Sequence, residues 1–298
     1  MTVNPIIRAT RATQAGRGGT PVILLAHGSR RAGADQQIEQ IAAALEAELA
    51  SPANSDATWH AELASPAPVR AAFLDFSPAT LYSVAEELVA DGHRHAIVVP
   101  LLFTNAFHLN HDVPREIAYV ERTIGLNLAQ TAPVGLGEDV AELLVHHWRA
   151  TANAGATPGA IGDAVVYSVG SSTPGANEAV ADLADHVGVL LGVPARAIFA
   201  TGGGPTIAAH RAGLSQRGVV TGQFGADATQ HRAGHNQAPT AVLPLFFAPG
   251  LLLDKAHSIA ADHPGEFIFS EPLGVALVGV LKNRVSTTAT PETLQVIA

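Results

Sequence analysis

Apolar residues in this chain come in short continuous runs separated by stretches with helical spacing. Pro21 to Ala26 (PVILLA) is a run of the kind that forms a strand covered on both faces. Ala34 to Ala50 follows as a helix, with Ile38, Ile41, Ala42, Leu45 and Leu49 on one face and acids and glutamines opposite. Val69 to Phe76 (VRAAFLDF) reads as a second strand. Ser77-Pro78 opens a helix through Leu81, Val84, Leu88 and Val89, closed by Gly92. Ile97 to Phe103 is the third strand, and Pro114 starts a helix that stops at Gly125. Leu128 to Val134 is a fourth short strand, and Asp139 to Ala150 is a helix. Thr151 to Gly162 (TANAGATPGAIG) has the composition of a linker.

The pattern then starts again. Val165 to Asn177 lays over Val22 to Asp35, with Gly170-Ser171 on Gly28-Ser29 and Gly175 on Gly33. Ala176 to Gly192 is the matching helix. Arg196 to Gly202 is a strand followed by a helix opened at Pro205. Thr240 to Phe247 (TAVLPLFF) lays over Ala96 to Phe103 (AIVVPLLF), and Glu271 to Gly274 echoes Ala132 to Gly135. Strands alternating with helices imply parallel sheets with right-handed crossovers. The expected fold is therefore α/β, two similar domains, each a small parallel flavodoxin-like sheet of four or five strands, with a cleft between them. The expected divisions are a flexible tail over 1–19, a first domain over 20–150, a linker over 151–163, a second domain over 164–284 and a tail or loose helix over 285–298. Residues 221–239 read as an insertion in the second copy.

The repeat also exposes a difference. His27, Asp75 and His108 stand at the C-terminal ends of three first-half strands, which are neighbours on one sheet edge, the edge where open α/β sheets bind ligands. Their second-half counterparts are Val169, roughly Gly202 and roughly Leu252. Each residue alone has an ordinary role available: His27 capping the first helix, Asp75 capping the helix near Pro78, His108 binding backbone. Three together, lost together in the second copy, point to a site. Two imidazoles and a carboxylate suit a divalent first-row metal and leave positions open for exchange.

Composition narrows the alternatives. The 298 residues carry no cysteine, which excludes disulfides and thiolate metal sites. A net charge of −9 argues against a nucleic-acid partner. No apolar run approaches the length of a membrane span, and Met1 to Thr20 lacks the apolar core of a signal peptide, so a cytoplasmic location is expected. Gly202-Gly203-Gly204-Pro205 lacks the Lys-Ser/Thr of a phosphate-cradling loop, so no nucleotide is expected.

LLAHGSR at Leu24 to Arg30, AAFLDFSPATL at Ala71 to Leu81 and VVPLLFTNAFHLNHDVPREI at Val98 to Ile117 resemble the sirohydrochlorin chelatases, the ATP-independent class of tetrapyrrole chelatases. The resemblance is close over Val22 to Gly125 and weaker afterwards. It implies insertion of Co²⁺, Fe²⁺ or Ni²⁺ into sirohydrochlorin, for sirohaem or cobalamin synthesis. It also implies metal ligands at His27, Asp75 and His108, with His27 and His108 catalytic. The family carries Glu where this chain has Asp75, one methylene shorter. Ser29, Arg30, Arg31, Asn105, Phe107, His111, Arg115 and Lys255 are the expected contacts to this polycarboxylated macrocycle, arginine being suited to carboxylates. With both halves in one chain, a monomer is expected. His231 and His235 in the insertion read as a polar loop and His146-His147 as a structural pair. A non-catalytic metal or tetrapyrrole carrier and a metal-dependent hydrolase remain alternatives.

Overall fold

The structure is a computed structural model that describes residues 19–51, 67–104, 112–151, 161–220 and 238–288, leaving aside the side chains of 214–220. The first half runs β1 (Val22–Ala26), α1 (Ala34–Leu49), β2 (Val69–Phe73), α2 (Leu81–Ala90), β3 (His95–Pro100), α3 (Val113–Ile124), β4 (Asn127–Gln130) and α4 (Glu138–Thr151). The second runs β5 (Asp163–Ser168), α5 (Ala176–Leu191), β6 (Ala195–Phe199), α6 (Ile207–Val220), β7 (Thr240–Pro244), α7 (Leu251–Ala261) and β8 (Phe267–Phe269). It ends in a 3₁₀ turn (Gly274–Leu277) and α8 (Val278–Thr288). Each half is a four-stranded parallel sheet, in the order β2-β1-β3-β4 and β6-β5-β7-β8. The two orders are the same one repeated, as the sequence overlay implies.

Alternation along the strands builds the layers. Val22, Leu24 and Ala26 of β1 face a core between the two sheets, while Ile23 and Leu25 face the outer helices α2 and α3. In β5, Ala164 and Val166 face the shared core, and Val165 and Tyr167 face α6 and α7. That shared core holds α1, α4, α5 and α8 and draws buried residues from both halves, so the repeats close on one apolar layer.

The terminal helices are exchanged across this layer. α4 packs on α5 and β7, while α8 packs on α1 and β3. Lys282 donates to Glu48 at 2.9 Å. Arg284 donates to the carbonyls of Pro133 and Val134 and pairs with Asp139 at 2.8 Å. Val285 is fully buried, so the expected boundary at 284 falls inside an anchored helix rather than before a loose one. His147 answers from the other side, its Nε2 meeting the carbonyls of Glu271 and Pro272 at 3.0 and 3.1 Å. The structural reading of that histidine holds.

Several expected boundaries shift. β2 ends at Phe73, so Asp75 lies in the following loop, and β3 ends at Pro100 rather than Phe103. α2 begins at Leu81 and not at Ser77-Pro78, because Thr80 takes the N-cap and accepts from the Ser83 N–H at 3.1 Å. Of the linker expected over 151–163, Thr151 closes α4, Asp163 opens β5 and residues 152–160 lie outside the described residues, as do 221–237 of the insertion expected over 221–239, 1–18 of the first tail and 289–298 of the last.

Candidate active site

His27 is the first residue beyond the carboxyl end of β1, and Asp75 the second beyond β2. The ladder between these strands continues past their ends, with Leu74 donating to the Ala26 carbonyl and Asp75 to the His27 carbonyl, both at 2.9 Å. Between them Gly28 adopts φ +96°, and a Cβ there would run into the Asp75 carbonyl oxygen. Only glycine allows this approach. The result is that the His27 Nδ1 and Asp75 Oδ2 lie 3.9 Å apart, on side chains that are partly open to solvent although Nδ1 itself is buried.

The second half repeats the junction without its side chains. Thr201 donates to the Val169 carbonyl at 2.8 Å, Gly170 has φ +86°, and a Cβ on Gly170 would strike the Thr201 carbonyl oxygen. The register Leu25↔Ala72 in one sheet and Tyr167↔Ile198 in the other makes Thr201 the counterpart of Asp75. The expected counterpart, Gly202, is one residue too far along. An imidazole and a carboxylate in the first half thus correspond to Val169 and a threonine hydroxyl in the second, on one shared backbone geometry.

Neither alternative capping role fits. α1 has Gly33 at its N-cap, in the left-handed region and with no side-chain bond, and Thr80 caps α2. His27 and Asp75 are therefore not explained by helix termination. Among the described residues no three His, Asp or Glu side chains converge into a metal-holding group. His108, the expected third member, lies outside the described residues, as do Asn105, Phe107 and His111.

A cleft of about 920 Å³ opens between the carboxyl edges of the two sheets. His27, Ser29, Asp35 and Phe103 line one side, and Val169, Ser171, Thr201 and Phe247 the other. Phe103 and Phe247 occupy equivalent positions in the two halves and stack face to face, with centroids 4.1 Å apart and planes 3° from parallel. Ser29 accepts from the Arg31 N–H at 3.1 Å, and Ser171 does the same for Thr173 at 3.0 Å, so this hydroxyl shapes the turn in both halves. Of the expected cations, Arg31 reaches across to α7 and pairs with Asp254 at 3.0 Å, while Arg30, Arg115 and Lys255 are exposed. None of the four is among the residues lining the cleft. Asp35, Phe103 and Phe247 were not among the expected site residues. The overlay of TAVLPLFF on AIVVPLLF was the signal that could have paired the two phenylalanines.

Residues 21–151 match the CbiX family model. The sirohydrochlorin cobaltochelatase of Saccharolobus solfataricus is 34% identical over 90 residues, 27% of this chain and 69% of that protein.

The chain belongs to the sirohydrochlorin chelatase family.

Another member, the sirohydrochlorin ferrochelatase of Bacillus subtilis, is 33% identical over 78 residues, 26% of this chain and 30% of that protein. The fold extends further than the sequence likeness. The structure of SirB from Bacillus subtilis with Fe³⁺ superposes with a TM-score of 0.67 at 22% identity, covering 93% of this chain and 98% of that one. The two-sheet architecture, second half included, is thus the fold of the chelatases.

Proposed function

We propose that this chain inserts a divalent metal, Co²⁺, Fe²⁺ or Ni²⁺, into sirohydrochlorin without ATP. The observation that carries the reading is the pair of matched strand-end junctions. One presents His27 and Asp75 at 3.9 Å, and the other presents Val169 and Thr201 on the same backbone. Adjacent ligand atoms at bonds of about 2.0–2.2 Å from one tetrahedral or octahedral metal stand ~2.8–3.6 Å apart. Nδ1 and Oδ2, at 3.9 Å, would close by a few tenths of an ångström to share an ion. His108 joins them as third ligand through the family resemblance, leaving positions for water and then for ring nitrogens.

The chemistry asks for delivery of a hydrated ion and removal of two pyrrole protons. A neutral imidazole has one free lone pair, so it holds the ion first and accepts a pyrrole proton once the ion has passed to the ring, the second proton going to water. His27 is assigned as metal ligand and then proton acceptor, and His108 as metal ligand. The macrocycle occupies the cleft between the halves, whose volume lies in the usual range for ligand sites. The second half supplies the opposite wall. Arg30, Arg31, Arg115 and Lys255 are assigned to its carboxylates, Arg31 by exchange from Asp254.

The test is spectrophotometric: purified protein, sirohydrochlorin and each of the three metals, with and without ATP. Metal-dependent turnover that ignores ATP supports the reading. Binding of the macrocycle with no turnover on any metal would make the chain a carrier.

A further inference from the structure

Among the described residues Phe76 alone, glycines aside, has a positive φ, at 64°. A bulky aromatic residue is poorly suited to this region, which Gly, Asn and Asp adopt at less cost. Burial does not explain the choice, because the residue is 53% exposed. Turn geometry does not explain it either, since a small polar residue would satisfy it without strain. Such outliers persist at ligand sites, where the surroundings hold them.

The surroundings of Phe76 are specific. It follows Asp75 directly. Its ring stands edge-on to the His27 imidazole, with centroids 6.2 Å apart and planes at 88°. The Arg30 guanidinium lies over the ring, 4.8 Å from its centroid. An open aromatic surface and an arginine are thus fixed beside the imidazole and carboxylate of the candidate metal pair, just outside the cleft lining. This combination suits a flat conjugated ligand that carries carboxylates at its edge: the ring offers a stacking surface and the guanidinium a bidentate partner.

We propose that Phe76 is a substrate-contacting residue, a seat on which the overhanging part of the macrocycle rests while Arg30 takes one of its carboxylates. The inference rests on the chelatase reading of the same site. The strained turn presents the ring outward instead of letting it fold into the core. Local contacts with Arg30 and His27 hold it there before the ligand arrives, which lowers the ordering cost on binding.

The experiment titrates metal-free sirohydrochlorin into the full chain and its Phe76→Leu, Phe76→Gly and Phe76→Trp variants, following the macrocycle's absorption. Thermal midpoints and Co²⁺ affinity without macrocycle are measured alongside. Loss of one stacking surface weakens binding about tenfold in Phe76→Leu and Phe76→Gly. Phe76→Trp restores it, and Co²⁺ affinity stays at the wild-type level in all three. Phe76→Gly keeps its thermal midpoint because it relieves the backbone. Wild-type affinity in Phe76→Leu, or no recovery in Phe76→Trp, overturns the inference while leaving the chelatase reading intact. A wild-type chain that does not bind sirohydrochlorin at all removes both.

Discussion

Substituting alanine for Gly28 tests how the site is held together, because an identical control exists in the same molecule. Gly28 has φ +96° and Gly170 φ +86°, and each would drive a Cβ into the carbonyl of the neighbouring loop, Asp75 in one half and Thr201 in the other. A left-handed alanine costs about 1–2 kcal/mol before any overlap. Relieving the overlap requires the two loops to part by at least ~1 Å, which threatens the Asp75–His27 backbone bond, itself worth about 0.5–1.5 kcal/mol. The sum is roughly 1.5–3.5 kcal/mol, or about 2–6 °C in thermal midpoint for a chain of 298 residues. Stability should fall comparably in Gly28→Ala and Gly170→Ala. Metal binding should not. The His27–Asp75 gap of 3.9 Å is already wider than the ~2.8–3.6 Å between adjacent ligand atoms of one ion, so parting the loops carries the pair further from sharing a metal. Calorimetric titration with Co²⁺ below both midpoints should therefore show abolished or strongly weakened binding in Gly28→Ala and near wild-type binding in Gly170→Ala. Equal affinities in the two variants would refute the reasoning, whichever way they moved.

Other outcomes follow from the same structure. Asp75→Glu should keep or raise turnover without lowering the thermal midpoint, since Asp75 caps no helix, whereas Asp75→Ala should lower turnover; a Glu variant with lower midpoint and unchanged turnover would take Asp75 out of the site. Thr80→Ala should cost about 1 kcal/mol in denaturant unfolding and leave insertion unchanged. Asp163 is buried at the start of β5, with the Thr240 hydroxyl donating to its Oδ1 at 2.6 Å and the His210 Nε2 lying 3.3 Å from its Oδ2. Burial pushes its carboxyl up, but the bonds from His210 and Thr240 and the charge of Arg196 outweigh that, and the pKa lies below the ordinary value. The folded state then binds this proton less readily than the unfolded one. Its contribution is complete above the ordinary carboxylate range and is lost as pH falls through the folded pKa. Asp163→Ala should therefore destabilise the protein at pH 7, by about 1–3 kcal/mol for each buried partner left unsatisfied, and flatten the acid limb of the stability curve.

The parallel strands were legible because both of their faces are buried, which leaves apolar runs such as Val22–Ala26 and Thr240–Pro244 with little ambiguity. Their ends were not. Leu101 and Phe103 continue the apolar run past Pro100 because they reach the inner core and the cleft, although the strand has stopped. The start of α2 was misplaced because Ser77-Pro78 resembles a helix opening, while the deciding bond is the side chain of Thr80. The asymmetry of His27 against Val169 was readable from the overlay. The counterpart of Asp75 was not, because only backbone register separates Thr201 from Gly202. The Phe103–Phe247 stack, the Arg31–Asp254 pair and the exchange of α4 and α8 depend on how the halves meet. No local pattern encodes that.

His27, at the first of the two matched junctions, is held to do the chemistry that Val169 at the second cannot. Single-turnover insertion of Co²⁺ into sirohydrochlorin by wild type and His27→Ala, with equal thermal midpoints established first, tests this most directly. The expected result is a rate loss of roughly 10²-fold or more in His27→Ala, the scale of removing a proton acceptor that is also a metal ligand. A variant that is folded and inserts cobalt at the wild-type rate would contradict it.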